Sequence, residues 1–449
     1  MEGRILAQDT NSHIGEEVKI CGWVQVRRDH GKIVFLDVLD RSGVIQVVLS
    51  GDLAGDLHPQ DVVCIEGEVA KRPENLINPN LDTGTIELQA KSVDVLSRAA
   101  ELPFDMGGKE LKLQLPTLLD YRGLTLRHPK IRDIFKVEAA VLQGFRKASE
   151  DLECLEIVTP TIAASATEGG AEVFRVNYYG YQAYLTQSPQ LYKQILVAVY
   201  ERVFTITKAY RAEPSVTTRH LAESTQMDCE FAFVNFNDLV KLLDTVSQEM
   251  IKFAAQNCKD ILKEFGVEEP KLGQTPVLRM REAQEIIFKE TGRDVRSEKD
   301  LGPQDEIDIC KWALKNHESD LVIITHYPTK KRAFYTMPDS DDPEFSLSYD
   351  VLFKGMEICS GSQRVHDYQQ LMETIKDRGM DPKTFEIYLM AFKYGMPPEG
   401  GFSFGLERIT KQLLNLENIR ESTLFPRDME RVDVRLSTFR DNERQGSSK

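Results

Sequence analysis

The first hundred residues carry short hydrophobic runs that are separated by turn residues. Runs such as IVFLDVLD and GVIQVVLS are rich in Val, Ile and Leu, which is typical of β-strands. Five such runs lie within residues 1–100, with polar turns such as residues 40–43 between them. Five short strands fit a small closed Greek-key barrel of the OB kind, and a two-sheet sandwich fits the same count. We therefore predict an N-terminal β-domain over residues 1–100.

The pattern changes after this domain. Residues 101–125 contain several prolines and glycines, which is typical of a hinge or linker. The following segment, IRDIFKVEAAVLQGFRKASEDL, has apolar residues at helical spacing. Residues 126–438 mix strands with helices, which predicts a larger α+β domain, with residues 237–320 as a mostly helical insertion or covering layer. The polar residues 439–449 predict a disordered tail.

Composition narrows the classes of protein that remain. No stretch approaches the roughly 20 apolar residues of a membrane span, so we expect no membrane partner. The N-terminus has no basic region followed by an apolar run, so a cytoplasmic location is expected. Seven cysteines are scattered without a CxxC pair, which disfavours both a zinc site and a disulfide framework. The net charge of −15 argues against a protein that binds nucleic acid with its whole surface.

Three segments carry candidate chemistry, and each is ambiguous alone. Residues 156–161 predict a helix–strand corner. Residues 209–231 predict two antiparallel strands joined by a polar loop, with Arg211 on the first strand and Arg219 on the loop. Planar guanidinium groups suit phosphate or carboxylate but also occur in surface ion pairs. Residues 400–409 form a Gly-rich turn before an amphipathic helix, without the Lys-Ser/Thr of a P-loop.

Taken together and in this order, the segments resemble motifs 1, 2 and 3 of class II aminoacyl-tRNA synthetases. The resemblance implies an antiparallel catalytic sheet flanked by helices, with motif 1 at a homodimer interface. It also implies that Arg211 contacts the α-phosphate of ATP and that Arg408 contacts the γ-phosphate. Further ATP-binding residues implied by the motifs are Glu213, Arg219, His220, Leu221, Glu357 and Gly405.

Other segments resemble one branch of this class, the aspartyl-tRNA synthetases of subclass IIb in their short archaeal and eukaryotic form. These segments are residues 166–172, 187–194 and 357–366, together with 394–398 and 425–428. The resemblance covers nearly the whole chain. It implies activation of L-aspartate to aspartyl-adenylate and transfer to the 3′ end of tRNA(Asp).

The implied pocket matches the chemistry of aspartate. Glu168 would pair with the ammonium group, assisted by Gln190, and Lys193 and Arg364 would meet the side-chain carboxylate. Asparagine would leave these two cations without a charged partner, which is costly in a buried site. The asparagine branch usually lacks a lysine at the position of Lys193. Arg211 and Ser360 complete the implied aspartate-binding set.

A divalent cation is also implied. Glu357 and Ser360 resemble the residues that place Mg²⁺ between the phosphates of ATP, with Asp350 as an additional ligand. Carboxylate and hydroxyl oxygens suit this hard cation, which keeps waters and phosphate oxygens around it.

The N-terminal barrel resembles an anticodon-binding domain. Phe35, Gln46 and Arg28 resemble the family's anticodon readers, with Phe35 stacking on a base and Gln46 bonding to its edge. A core role for Phe35 is an equal alternative. Strict archaeal-type members carry tryptophan where this chain has Gln25, which favours relaxed specificity that includes tRNA(Asn).

Two other hypotheses remain open at this point. An asparaginyl-tRNA synthetase is the nearest alternative enzyme, and Lys193 argues against it. A catalytically inactive RNA-binding paralogue would have the same fold, and intact Arg211, Glu357 and Arg408 argue against that.

Overall fold

The computed structural model describes residues 2–165 and 172–438. The chain divides into two compact units, residues 1–113 and 114–449. The division lies within the segment that we predicted as a linker, whose last part, residues 115–125, is mostly helical. Residues 439–449 and Glu168 lie outside the described residues.

The first unit is a closed β-barrel. Its sheet has the order β1-β2-β3-β4-β6-β5, and β5 also pairs with β2, which closes it. This closure excludes the two-sheet sandwich and confirms the OB-type barrel. The five predicted runs correspond to β2 to β6, and β1 adds two residues. The elements are β1 (Arg4–Ile5), β2 (Glu17–His30), β3 (Ile33–Leu39), β4 (Val44–Ser50), α1 (Gly51–Ala54), β5 (Val62–Lys71) and β6 (Ile86–Ser97).

One prediction about the barrel is wrong. Cys21 on β2 and Cys64 on β5 form a disulfide, although the scattered cysteines had disfavoured one. The two residues are 43 positions apart, yet they are direct partners in the β2–β5 register. Strand pairing, which spacing along the chain does not reveal, brings the two thiols together. The other five cysteines are free and buried.

The second unit is built around an eight-stranded sheet. Its order is β13-β14-β15-β16-β17-β12-β11-β7, antiparallel from β14 to β11, with parallel pairs at both edges. The strands are β7 (Leu155–Glu156), β11 (Arg202–Tyr210), β12 (Glu223–Ala232), β13 (Val277–Arg279), β14 (Leu321–Thr325), β15 (Ser348–Phe353), β16 (Met356–Gln363) and β17 (Glu399–Gly405). A small separate sheet contains β8 (Ile162–Ala163), β9 (Arg175–Tyr178) and β10 (Tyr181–Leu185).

The second unit also contains helices. They are α2 (Leu115–Asp120), α3 (Arg122–Thr125), α4 (Pro129–Asp151), α5 (Gln190–Tyr200), α6 (Phe236–Asn257), α7 (Lys259–Glu264), α8 (Met280–Thr291), α9 (Pro303–His317), α10 (Tyr368–Asp377), α11 (Glu386–Lys393) and α12 (Leu406–Leu413). Short 3₁₀ turns occupy Gln8–Ser12, Glu74–Leu76, Thr329–Lys331, Pro382–Phe385, Ile419–Ser422 and Leu436–Thr438.

The main core lies between the sheet and helices α4, α6 and α12. Helix α4 corresponds to the predicted amphipathic helix and buries its apolar stripe. It approaches α6 closely at Gly144, where a Cβ would lie 2.8 Å from the carbonyl oxygen of Met250. Residues 237–320, predicted as an insertion or covering layer, contribute α6 to this core and β13 to the edge of the sheet. No helix in the described part of the chain has the length and apolar character to cross a membrane.

Candidate active site

A cleft of about 420 Å³ opens in the second unit, over the sheet. Its walls come from α5, from the loop between β11 and β12, from β16, and from the junction of β17 with α12. Segments far apart in sequence therefore meet at one place. The predicted site residues that line the cleft are Gln190, Lys193, Arg211, Glu213, Arg219, His220, Leu221, Glu357, Ser360, Arg364, Gly405 and Arg408.

One part of the cleft contains a buried lysine. Lys193 projects from α5 and is only 1% exposed. Its Nζ lies 2.8 Å from Oδ2 of Asp228 and 2.9 Å from Oε2 of Glu230. Burial alone would lower the pKa of Lys193, but the charges of the two carboxylates outweigh burial and raise it. Lys193 is therefore a charged ammonium inside the protein.

Arg364 lies beside the lysine and is equally enclosed. Its Nε donates to Oε1 of Glu230 at 2.8 Å, and its Nη1 donates to Oγ of Ser362 at 2.7 Å. Its Nη2 donates to the Gly401 carbonyl oxygen at 2.9 Å. These contacts hold the guanidinium in one orientation, and the Glu230 charge raises the pKa of Arg364 despite its burial.

The structure corrects our account of how these cations discriminate. The sequence predicts that Lys193 and Arg364 have no charged partner until the substrate carboxylate binds. In the structure, Asp228 and Glu230 already balance their charges. Such pairing is required because two unpaired cations could not stay charged in a buried site. Sequence reasoning assigned no role to these two acidic residues. Their spacing by two on a strand, which puts both side chains on one face, was the available signal.

A β-bulge positions the candidate metal ligands. Val351 pairs with Cys359 while the next residue, Leu352, pairs with Glu357, so Ile358 is an extra residue on β16. In a regular strand, Glu357 and Ser360 would point to opposite faces, because they are three positions apart. The bulge instead leaves Ile358 and Cys359 in the core and turns Glu357 and Ser360 towards the cleft.

Oxygen atoms suitable for a hard cation lie at this bulge. Asp350 is the direct register partner of Ser360, and its buried Oδ1 has no hydrogen-bond partner among the described residues. Arg332 donates from Nη2 to the other oxygen of Asp350 at 2.6 Å and from Nη1 to Oγ of Ser360 at 3.0 Å. Sequence reasoning missed Arg332. No cluster of three or more His, Cys, Asp or Glu residues arranged for a metal occurs in the described ranges. The donor set therefore fits a cation that takes its other ligands from phosphate and water.

The cations predicted to bind phosphate differ in their contacts. Arg408 donates from Nη1 to Oε1 of Glu357 at 3.0 Å. Arg219 is held by Glu306 on α9, which also accepts from the backbone N–H of Glu357 at 3.1 Å. Burial raises the pKa of Glu306 to about 6. By contrast, the exposed Arg211 side chain makes no hydrogen bond or ion pair within the described residues. It is the cation most open to an incoming ligand.

His220 lies in the same loop as Arg219. Its Nδ1 is 2.9 Å from Oγ1 of Thr217. Burial, followed by the positive charge of Arg408 and the neighbouring arginines, lowers the pKa of His220. The imidazole is therefore neutral at physiological pH, and His220 adds no charge to the cleft.

The barrel brings its three predicted anticodon residues to one outer face. Arg28 forms a bidentate ion pair with Asp37 at 2.8 and 2.7 Å, and its Nη2 lies 3.4 Å from Oε1 of Gln46. Gln46 in turn donates to Oε2 of Glu87 at 3.2 Å. Sequence reasoning missed Asp37 and Glu87, which hold the Arg28 and Gln46 side chains in place.

Phe35 lies on the same outer face of the barrel. It is half-buried between the core residues Val34 and Leu36, and it is not itself a member of the barrel core. The ring of His30 makes an edge contact with Phe35, with centroids 5.6 Å apart. Gln25 occupies a bulge in β2, where the register shifts between Val24 and Val26. Its side chain is half-buried.

Comparison with known proteins agrees with this architecture. The family model described as tRNA synthetases class II (D, K and N) matches residues 114–429, and the model of the OB-fold nucleic acid binding domain matches residues 18–96. The chain belongs to this class II tRNA synthetase family. It is therefore an aminoacyl-tRNA synthetase with an N-terminal OB domain, which confirms the fold class and the family resemblance.

Individual relatives refine the picture. The aspartate–tRNA(Asp/Asn) ligase of Thermus thermophilus is 41% identical over 96% of this chain and 99% of its own length. The aspartate–tRNA(Asp) ligase of Pyrococcus horikoshii is 38% identical over 93% of this chain and 96% of its own. The solved asparaginyl-tRNA synthetase of Pyrococcus horikoshii, complexed with asparaginyl-adenylate, superimposes with a TM-score of 0.88 at 30% identity, covering 96% of this chain and 100% of that one.

Proposed function

We propose that this chain is an aspartate–tRNA ligase that activates L-aspartate with ATP and transfers it to tRNA(Asp). The observation that carries the proposal is the buried pair of cations, Lys193 and Arg364, held by Asp228 and Glu230 in the cleft. A side-chain carboxylate can interact with both cations. The uncharged amide of asparagine offers only one accepting oxygen, and its NH2 group would face a cation instead of accepting from it. The names of the relatives in sequence support the same substrate.

The first step needs no nucleophile from the protein. An α-carboxylate oxygen of aspartate attacks the α-phosphorus of ATP, the bond to the bridging oxygen breaks, and pyrophosphate leaves with its electron pair. Arg211 stabilises the charge that develops on the α-phosphate, and Arg408 holds the leaving phosphates. In the second step, a terminal ribose hydroxyl of tRNA attacks the aspartyl carbonyl, loses its proton and releases AMP.

Magnesium fits the bulged strand. Glu357 and Ser360 would hold it, and nearby lies Oδ1 of Asp350, which has no hydrogen-bond partner among the residues described. When bound, the ion would neutralise phosphate charge and orient ATP. Glu357→Gln should raise the Mg²⁺ concentration that gives half-maximal exchange, and an unchanged requirement would remove Glu357 from this role.

The outer face of the barrel is proposed to read the anticodon. Phe35→Ala should lower tRNA charging by about tenfold or more, because stacking on a base is worth about 1–3 kcal/mol. Aspartate-dependent pyrophosphate exchange should stay unchanged. Phe35→Leu is the matched variant, since it keeps apolar bulk without a ring and should lose charging in the same way. Equal loss of charging and exchange in both variants would indicate a folding role instead.

The breadth of tRNA recognition is part of the proposal. Gln25 at the bulge of β2 and the name of the Thermus relative both support charging of tRNA(Asn) as well as tRNA(Asp). Aminoacylation of both purified transcripts with labelled aspartate, with asparagine in parallel, tests this. Aspartate on both tRNAs is expected. Aspartate on tRNA(Asp) alone would make the enzyme discriminating, and transfer of asparagine would contradict the proposed substrate.

We also propose a cytoplasmic homodimer. Exposed apolar side chains lie around the first motif and the β9–β10 turn, with Val158, Tyr179 and Tyr181 exposed by 95%, 88% and 79%. Such side chains favour burial against a second surface. Sedimentation at micromolar concentration should give twice the chain mass, and the mass of one chain would contradict the dimer. Cell fractionation tests the location.

A further inference from the structure

A third carboxyl group lies behind the aspartate pocket and has no role in the proposed chemistry. Glu399 is the first residue of β17, and its side chain is completely buried. Its Oε1 accepts a hydrogen bond from Nε2 of Gln194 at 2.6 Å. Its Oε2 is buried and meets no donor within the described residues. The carboxyl of Glu230 lies within hydrogen-bonding reach of Glu399.

The contacts of Gln194 determine which hydrogen bond the Glu399 carboxyl accepts from it. Oε1 of Gln194 accepts from Nε2 of Gln190 at 2.9 Å and from the hydroxyl of Tyr388 at 3.2 Å. This orientation leaves the Gln194 amide N–H for Glu399. Glu399 thus accepts one hydrogen bond on Oε1, and its Oε2 receives none from a residue that the structure describes.

Glu230 cannot donate a hydrogen bond to Glu399. Its oxygens already accept from Arg364 and Lys193, which hold it as a carboxylate and lower its pKa despite burial. Two buried carboxylates in contact cannot both be ionised, so one of them keeps a proton. Burial, and then the charge of Glu230, raise the pKa of Glu399 well above its usual range, although Arg364 opposes this. The proton therefore belongs to Glu399.

We propose that Glu399 is a positioning residue that stays protonated and donates a hydrogen bond to Glu230, so that Arg364 and Lys193 remain available to the substrate carboxylate. The inference rests on the proposed aspartate specificity and extends it. The pocket holds two cations, Lys193 and Arg364, against two carboxylates, Asp228 and Glu230. An ionised Glu399 would make this group net negative and repel the side chain of aspartate.

The charged and titratable groups that face Glu399 come from four elements. Glu230 on β12 and Arg364 after β16 act on it most strongly. Tyr349 on β15 and Tyr388 on α11 are buried beside it, and burial raises the pKa of both phenols well above the usual range. Both tyrosines stay neutral, so the charges that act on Glu399 are those of Glu230 and Arg364, and Lys193 acts through its ion pair with Glu230.

The test compares Glu399→Leu with its conservative counterpart Glu399→Gln. Leucine removes both hydrogen bonds and should raise the KM for aspartate in pyrophosphate exchange by about tenfold or more, with a smaller effect on kcat and on the KM for ATP. Glutamine mimics the protonated acid, because it accepts from Gln194 and donates to Glu230, and it should restore most of the loss. An aspartate KM unchanged in Glu399→Leu would overturn the positioning role. A Glu399→Gln enzyme that binds aspartate about tenfold tighter would show that Glu399 is ionised in the natural protein.

A spectroscopic measurement separates this inference from the proposed function and does not depend on the leucine variant folding. The infrared difference between natural protein and Glu399→Gln at neutral pH should contain the C=O stretching band of a protonated carboxyl. Its absence would overturn the inference even if aspartate is the substrate. If the band is present but no pyrophosphate exchange occurs with aspartate, the proposed function fails and the protonation of Glu399 stands.

Discussion

Arg211→Ala is expected to lower aspartate-dependent pyrophosphate exchange by about a hundredfold or more, the scale for removing one preorganised charge donor from a transition state. Arg211 directly follows β11, and its backbone N–H donates to the Ala222 carbonyl oxygen at 2.9 Å, so the main chain there is held by the hairpin. Its side chain lines the cleft and forms no ion pair within the part of the chain that is described. The substitution should therefore leave the melting temperature unchanged.

Lys208 provides the matched control for Arg211. It lies on β11, three residues before Arg211, and it is exposed. Its Nζ lies 2.9 Å from Oγ1 of Thr225 and 3.9 Å from Oε1 of Glu223. Because exposed ion pairs contribute about 0–1 kcal/mol, Lys208→Ala should keep exchange within a few-fold of the natural protein. Arg211→Lys keeps the charge but not the planar bidentate group, so its exchange rate should lie between those of Arg211→Ala and Lys208→Ala. Near-normal exchange in Arg211→Ala would remove this residue from the chemistry.

Lys193→Met should lower both stability and activity. The substitution leaves Asp228 and Glu230 buried without the ammonium that separates them, and breaking a buried ion pair in this way costs about 3–5 kcal/mol. Chemical denaturation should show a loss of this size in the free energy of unfolding. Aspartate activation should fall by about a hundredfold or more, because one of the two cations facing the substrate carboxylate is gone.

A double variant separates the two consequences of losing Lys193. Lys193→Met with Asp228→Asn removes one charge of each sign. The amide oxygen introduced by the second substitution can still accept from Ser403, whose Oγ lies 2.7 Å from Oδ1 of Asp228 in the natural protein. We expect this variant to recover much of the stability but none of the aspartate activation. Recovery of activation would mean that Lys193 is structural only, and Arg364 would then be left as the principal cation for the substrate.

The local pattern of apolar and polar residues was sufficient to predict the barrel strands and helix α4. The alternating runs of residues 1–100 correspond to β2–β6, and the helical spacing after residue 130 corresponds to α4, because both patterns reflect which face of an element is buried. The motifs and their order were sufficient to predict the family and which residues line the cleft. All the predicted ATP-binding and aspartate-binding residues in the described part of the chain line this cleft. Glu306 and Arg332 were missed because each belongs to a segment without a recognisable motif.

The sequence by itself determined the strands of the N-terminal domain, helix α4, the synthetase family and the cationic pair Lys193 and Arg364. Closure of the barrel through the β2–β5 pairing, which excludes a sandwich, came from the tertiary structure. Tertiary structure decided how those cations are balanced, since Asp228 and Glu230 reach them only when β12 packs beside α5. It also decided the bulge that turns Glu357 and Ser360 to one face, and the strand register that joins Cys21 to Cys64. The balance of the cations and the disulfide depend on contacts between residues distant in the chain, and the bulge depends on strand register. Burial makes the charges around Lys193 and Arg364 interact strongly.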